Sequence, residues 1–361
     1  MNCSVVKIDI EELNSTHILS QTRYWAKLKK KQGYQPSTFN VNVSKKLVYT
    51  SNNTGSLNEE MVVLLKRIDN NFCFAYVPYG PKIEPDFENQ GVLLEEFSEA
   101  LRPFLPRNCV FIRFDLIWEN QWAKEDDFFD HEGNWLGPPS KKVQELRVNF
   151  STKNWNLKKS SVDLLPKNTF FVNLKKSEQE LLHDMRYNTR YSIRKAEKNG
   201  IRVAEYGLDF IDQWFKLYDD TAIRKRMPRQ SVEYFKNVLI HQDKNKNGVK
   251  VKMLMADHDG DFLASMFLVL SSKRAVYLYG ASSSHKKDLM ASYALQWEAI
   301  KIAKKSNCTE YDMFGCAPNL KKNHPLHGVH LYKKGFGGKL FHRMGCWDYP
   351  LLQREYSLIS I

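Results

Sequence analysis

The residues that could act on a ligand are mostly cations. Arg186, Arg190 and Arg194 recur at i, i+4 and i+8 in a stretch that reads as one helix; Lys195, Lys198 and Arg202 extend the charge against only Glu197. Like charges at this spacing repel by a few tenths of a kcal/mol each. The row is therefore either a solvated face or one that tracks the phosphates of a polyanion. A second group, Lys27 with Lys29, Lys30 and Lys31, reads either as a solvated cluster ending a helix or as a cation aimed at a phosphate. Tyr277 and Tyr279 stand two apart in a strand and should share one face. Asp312, on a strand read as Tyr311 to Gly315, could orient a lysine or an acceptor amine, or satisfy backbone donors. Lys333 and its equally basic neighbour Lys334 precede Gly335, as surface residues before a turn would. No Ser/His/Asp or Cys/His constellation is evident, and no His/Cys cluster has zinc spacing.

The elements that must position these groups can be read from periodicity. Residues 5–32 read as helical, with Ile10, Leu13, Ile18 and Leu28 on the apolar side. Strands are expected at Phe39 to Val43, Met61 to Arg67, Asn71 to Val77 and Cys109 to Leu116, with a helix from Glu88 to Leu105. Residues 118–166 read as loop and connection. A strand from Asn168 to Leu174 follows, then a helix that Ser177 and Glu180 cap and that runs unbroken to a stop at Asn199-Gly200. Phe210 to Arg224 reads as a helix. Val249 to Met255 and Phe262 to Leu270 form a hairpin across His258-Asp259-Gly260-Asp261. The Tyr277 strand, a helix from Ala291 to Lys305 and the Asp312 strand suggest a β-α-β unit with a site at its strand ends.

Composition bounds the class. The 361 residues are 42% hydrophobic, which suits a globular chain of two domains. No apolar run approaches the ~20 residues of a membrane helix, and Met1 to Glu12 is no signal peptide. Six scattered cysteines read as free thiols in a reducing cytoplasm. The net charge of +13 fits polyanionic partners such as nucleic acid, nucleotide diphosphates or acidic lipid. An acyl-CoA enzyme opens the helix after its central strand with a glycine-bearing phosphate cradle. Here that connection is Ser284 to Ala291, without glycine, so acyl-CoA is not expected as donor and no cofactor is expected.

Four segments in order carry a family resemblance: Tyr277-Leu278-Tyr279-Gly280-Ala281-Ser282, Gln296-Trp297-Glu298-Ala299-Ile300, Tyr311-Asp312-Met313-Phe314-Gly315, and Tyr332-Lys333-Lys334-Gly335-Phe336-Gly337-Gly338. Together they resemble the C-terminal signature of the Fem family (FemA, FemB, FemX). Members move an amino acid from aminoacyl-tRNA to the stem peptide of a peptidoglycan precursor. Trp25-Ala26-Lys27, the Tyr76 to Pro81 turn and the basic stretch from Arg190 to Val203 are similar to the family too. The chain has no room for a coiled-coil arm, so FemX is the nearer relative.

The resemblance implies an α/β (α+β) fold of two GNAT-like domains in tandem, mixed sheets flanked by helices, the second inserted into the first: residues 1–166 with 339–361, and 167–338. It implies a cytoplasmic aminoacyltransferase whose partners are aminoacyl-tRNA and UDP-MurNAc-pentapeptide or lipid II, with peripheral contact at the inner membrane face. Lys333 would lie near the reacting ester; Asp312, from its place on the strand rather than from the resemblance, is a candidate base. Lys27 would hold the precursor's diphosphate; Tyr234, Tyr277, Tyr279 and Tyr332 would bind substrate. Where FemX has an arginine four residues before the matching tyrosine, this chain has Gln230, so Arg229 is the substitute candidate. The tRNA would contact Arg186, Arg190, Arg194, Lys195 and Lys198. Two other readings stay open: another GNAT-like N-acyltransferase, acting on a protein N-terminus or a lipid, and a non-catalytic basic RNA-binding protein.

Overall fold

The structure, a computed structural model, describes residues 2–51, 54–242 and 248–359. The chain divides into two compact units, one of Met1–Asn14, Ser20–Lys167 and His342–Ile361, the other of Ser15–Leu19 and Asn168–Phe341. Each has both parallel and antiparallel strand pairs flanked by helices, the mixed α/β class expected.

In the first unit the N-terminal segment departs from its helical reading. Cys3–Ile8 is strand β1, paired antiparallel to β2 (Gln35–Ser44), and the α-helix α1 covers only Arg23–Lys31. The reason is local: the Thr22 hydroxyl accepts the Trp25 N–H at 3.2 Å and starts the helix there. A short helix α2 (Lys45–Val48) leads to β3 (Ser56–Arg67) and β4 (Cys73–Val77); α3 (Gln90–Leu101) crosses to β5 (Cys109–Glu119), parallel to β4. Cys109 to Leu116 is buried throughout, which explains an almost continuous apolar run. The stretch read as a loop contains helix α4 (Lys141–Asn149) and the short strand β6 (Lys158–Lys159). Its helix escaped notice because Val143 and Leu146 are exposed while Gln144 and Asn149 are buried, an inverted pattern.

The second unit opens with β7 (Asn168–Asn173). The Ser177–Glu180 capping box starts α5 (Glu178–Asp184), but the helix is not continuous. Met185 and Arg186 are extended, with ψ 148° at each, and α6 (Tyr187–Lys198) begins anew. The Arg186 N–H goes to the Gly335 carbonyl at 2.9 Å instead of into a helix. Then come β8 (Arg202–Tyr206), α7 (Ile211–Lys225), α8 (Val232–Ile240) and the hairpin β9 (Lys250–His258) and β10 (Asp261–Ser271). At its turn Asp259 and Gly260 have positive φ, 52° and 88°, as a tight hairpin requires. Strand β11 (Arg274–Ser282) pairs with β10, α9 (Ala291–Lys305) follows, and β12 (Glu310–Asp312) lies parallel to β11. This is the β-α-β unit expected, with α9 at the expected bounds. The last strand ends early because Phe314 takes φ 58° and its N–H turns back to the Asp312 carboxylate. Helix α10 (His327–Lys334) is the last helix of the second unit; β13 (Lys339–Pro350) follows, and from His342 on the chain belongs again to the first unit, where β13 runs antiparallel to β5 and α11 (Gln353–Leu358) follows. Among the described residues no α-helix exceeds the 15 residues of α7 and α9, which leaves no coiled-coil arm, and none is long and apolar enough to cross a membrane.

Candidate active site

Lys333 is not a surface residue before a turn. It occupies the last turn of α10 with 5% of its surface exposed. Its ammonium donates to the carbonyls of Phe314 (2.9 Å) and Gly315 (2.8 Å), and lies 5.1 Å from the centre of the Tyr277 ring. Burial pushes its pKa down to about 8, against the opposing fields of Cys316 and Asp312. The carbonyl pair, the ring face and the C-terminal end of α10 all favour a cation there. Asp312 prepares this cradle: its carboxylate accepts the Thr169 hydroxyl at 2.5 Å and the Phe314 N–H at 2.8 Å, which fixes the turn whose carbonyls meet Lys333. Lys334, beside it in sequence, is only partly buried and has Arg186 as a like-charged neighbour.

Aromatic side chains wall this site. Tyr332 donates to the Ser292 carbonyl at 2.8 Å and packs edge-on against Tyr293 and Phe336. Gln296 donates to the Tyr311 hydroxyl at 2.6 Å. The glycines after Lys334 allow close packing: a Cβ on Gly335 would overlap the Thr189 hydroxyl, and one on Gly337 would press on the Asp184 carbonyl. The conspicuous Gly-Phe-Gly-Gly run thus docks α10 against the α5–α6 junction.

Tyr277 and Tyr279 do not share a face. The β10–β11 register slips between Ser265 and Phe267, and Tyr279 has φ 53°, which together mark a bulge. Tyr277 packs with Lys333 and Tyr332; burial pushes its hydroxyl to about 12. That hydroxyl fills the space a Cβ on Gly280 would need. Tyr279 instead joins Phe235, Phe267 and Tyr234, with its hydroxyl against that of Tyr234. Arg229 is exposed and paired with Asp219 at 3.2 Å.

The basic row is also reorganised. Arg190 is committed to structure, donating to the carbonyls of Leu182, His183 and Met185 at the end of α5. Arg186 precedes α6, so the three arginines do not form one helical face. On α6 itself Thr189, Ser192, Ile193 and Ala196 are buried, and Tyr187, Tyr191, Arg194 and Lys198 make up the opposite, exposed stripe. Tyr187 is 67% exposed and Tyr191 51%. Lys195 is half-buried at its margin. These tyrosines were missed; the available signal was their spacing of four, in phase with Arg194 and Lys198. Lys27, in the first unit, is half-exposed and paired with Glu11 at 2.6 Å, and that pairing with Arg23 holds the Glu11 carboxyl below its usual range. Glu11, too, went unnoticed.

Among the described residues no three His, Cys, Asp or Glu side chains gather as a metal site. What remains is a buried cation with fixed orientation beside aromatic walls, next to an exposed basic and aromatic helix. It can stabilise developing negative charge and hold a polyanion.

The model of the FemAB family matches residues 11–253 and 239–361. A lipid II:glycine glycyltransferase of Staphylococcus haemolyticus is 23% identical over 274 residues, 59% of this chain and 65% of that protein. One of Staphylococcus aureus is 22% identical over 282 residues, 60% and 67%. The chain thus matches about two thirds of the length of these relatives. The crystal structure of FemX superposes with a TM-score of 0.73 at 17% identity, covering 99% of this chain and 100% of that one. With a family model spanning nearly all of it, the chain belongs to the FemAB family.

Proposed function

We propose that this protein transfers an amino acid from aminoacyl-tRNA to the side-chain amine of the stem peptide in a peptidoglycan precursor, UDP-MurNAc-pentapeptide or lipid II. The observation that carries the reading is the buried, carbonyl-held Lys333 in a chain of this family. The acceptor amine attacks the ester carbonyl, a C–N bond forms, the ester C–O bond breaks, and the tRNA ribose hydroxyl leaves with a proton that the amine gives up. The ester is already activated, so orientation and oxyanion stabilisation meet most of the demand. An ammonium has three donors; with two spent on Phe314 and Gly315, Lys333 directs the third at the oxyanion. Asp312 acts as a positioning residue, since its carboxylate is taken up by Thr169 and Phe314. Tyr277 and Tyr332 line the acyl site; Tyr234 and Tyr279, through their paired hydroxyls, and Arg229 bind the precursor away from Lys333. Lys27 holds the precursor diphosphate once that anion has displaced Glu11 from it. The α6 stripe takes the tRNA: Arg194, Lys198 and Arg186 on phosphates, Tyr187 and Tyr191 stacked on unpaired bases of its single-stranded acceptor end. The lipid II glycyltransferases among the relatives support the acceptor class.

The test is incubation of purified protein with charged total tRNA and each precursor separately, read by mass. A precursor that gains one amino-acid residue supports the reading. Unchanged masses with both precursors would overturn it.

A further inference from the structure

Helix α4 buries its polar side and exposes its apolar one. Val143, Leu146 and Phe150, at i, i+3 and i+7, are 47%, 49% and 77% exposed. Gln144, Val148 and Asn149 face inward, where Gln144 and Asn149 spend their amide groups on the backbone carbonyls of Pro139, Glu145 and Leu157. The stripe is thus fixed by hydrogen bonds and cannot roll inward. Trp155, half-exposed with φ 51°, follows in the next loop. The flanks are cationic: Lys141, Lys142 and Arg147 are exposed, Arg147 over the Phe87 ring, and the one carboxylate on the helix, Glu145, is partly buried, takes the Lys159 N–H at 2.9 Å and lies 3.9 Å from the Lys141 ammonium, a loose pair that leaves the helix net positive.

An exposed apolar ridge rimmed by cations, with a half-exposed tryptophan in the loop that follows, has the chemistry of an interfacial helix on an anionic bilayer: the ridge enters the acyl boundary and the lysines stay with the headgroups. A second copy of the chain fits less well, because a two-fold contact would bring both cationic rims together. We infer that α4 and Trp155 form a docking surface for an anionic lipid membrane. This deepens the functional reading and rests on it for its purpose: it would bring the enzyme to a lipid-linked acceptor rather than a water-soluble one.

The test is co-sedimentation of the full chain with vesicles of equal parts phosphatidylglycerol and phosphatidylcholine, and with phosphatidylcholine alone. Binding is expected to the anionic vesicles, to weaken with salt, and to fall at least ~10-fold in Leu146→Ser/Phe150→Ser. Lys141→Gln/Lys142→Gln should weaken it and flatten its salt dependence. Ile240→Ser, which removes an apolar residue 58% exposed on α8, should leave it intact. Failure of the wild type to bind anionic vesicles, or equal binding by the α4 serine variant, would overturn the inference. So would concentration-dependent dimerisation abolished by that variant, which would make the occupant a second copy. Aminoacyl transfer to the soluble precursor is measured alongside. Transfer without vesicle binding sinks only the membrane inference, and vesicle binding without transfer to either precursor sinks only the functional reading.

Discussion

The α6 stripe allows its electrostatic and stacking parts to be separated. Arg186, Arg194 and Lys198 are the exposed cations of the region, whereas Arg190 is held by three carbonyls. A cation on a single-stranded phosphate contributes ~0.7 to the slope of log affinity against log salt. Replacing those three with glutamine should reduce the slope by about 2, so that a tenfold rise in salt costs the variant ~100-fold less affinity than it costs the wild type. Tyr187→Ala and Tyr191→Ala should each remove a stacking contact of ~1–3 kcal/mol, roughly a 5- to 150-fold loss, with the slope unchanged. Arg190→Gln should instead lower thermal stability by ~1–3 kcal/mol through unpaired α5 carbonyls, with the slope unchanged. Fluorescence anisotropy of labelled tRNA at four or so salt concentrations, with melting curves beside it, reads all of these. A triple variant with the wild-type slope, or an Arg190 variant that loses slope and keeps its stability, would refute the assignment of phosphate contacts.

Other predictions concern the two lysines and their surroundings. Lys333→Met should lower kcat by ~100- to 1000-fold while sparing precursor KM; a change confined to KM would remove Lys333 from the chemical step. With its pKa pushed down to about 8, the ratio of the wild-type single-turnover rate to that of the methionine variant, in which the acceptor amine's own titration cancels, should hold level below that pH and fall above it. The same residue sets a stability trend. Between about 8 and 10.5 the folded state holds fewer protons than the unfolded chain, so the cost of burying this cation is full below 8 and declines as pH rises through that window, and a melting series would show it. Lys27→Met should raise precursor KM and leave kcat, whereas Glu11→Gln should lower KM by freeing Lys27; unchanged constants in both would make the pair merely structural. Gly280→Ala should displace the Tyr277 ring and cost ~1–3 kcal/mol, and a variant as stable and active as the wild type would contradict the close approach.

Legibility in the sequence followed how local each determinant is. Helix α9 shows a clean helical repeat, and its bounds could be read directly; the Ser177–Glu180 box is two residues at a spacing of three and marked the start of α5. The break at Met185 was hidden because apolar spacing continues through it, while its cause, the Gly335 carbonyl, lies far along the chain. The bulge at Tyr279 was equally hidden, since a period-two reading assumes an unbroken ladder. Lys333 illustrates the same limit at the site: a lysine before Gly-Phe-Gly-Gly looks solvated until the Phe314 turn and the Tyr277 ring are folded over it. Family resemblance pointed to that lysine, and the structure supplies the reason such a charge can be held there.

The most direct test follows the acyl group itself. Aminoacyl-tRNA labelled in its amino acid is mixed with excess enzyme and lipid-linked or UDP-linked precursor for a single turnover. The account predicts that label leaves the RNA and appears in the precursor, amide-linked to the stem-peptide side chain, and that prior ribonuclease treatment abolishes the transfer. Label that remains on the RNA or is released only as free amino acid, with both precursors and with intact tRNA binding, would contradict it.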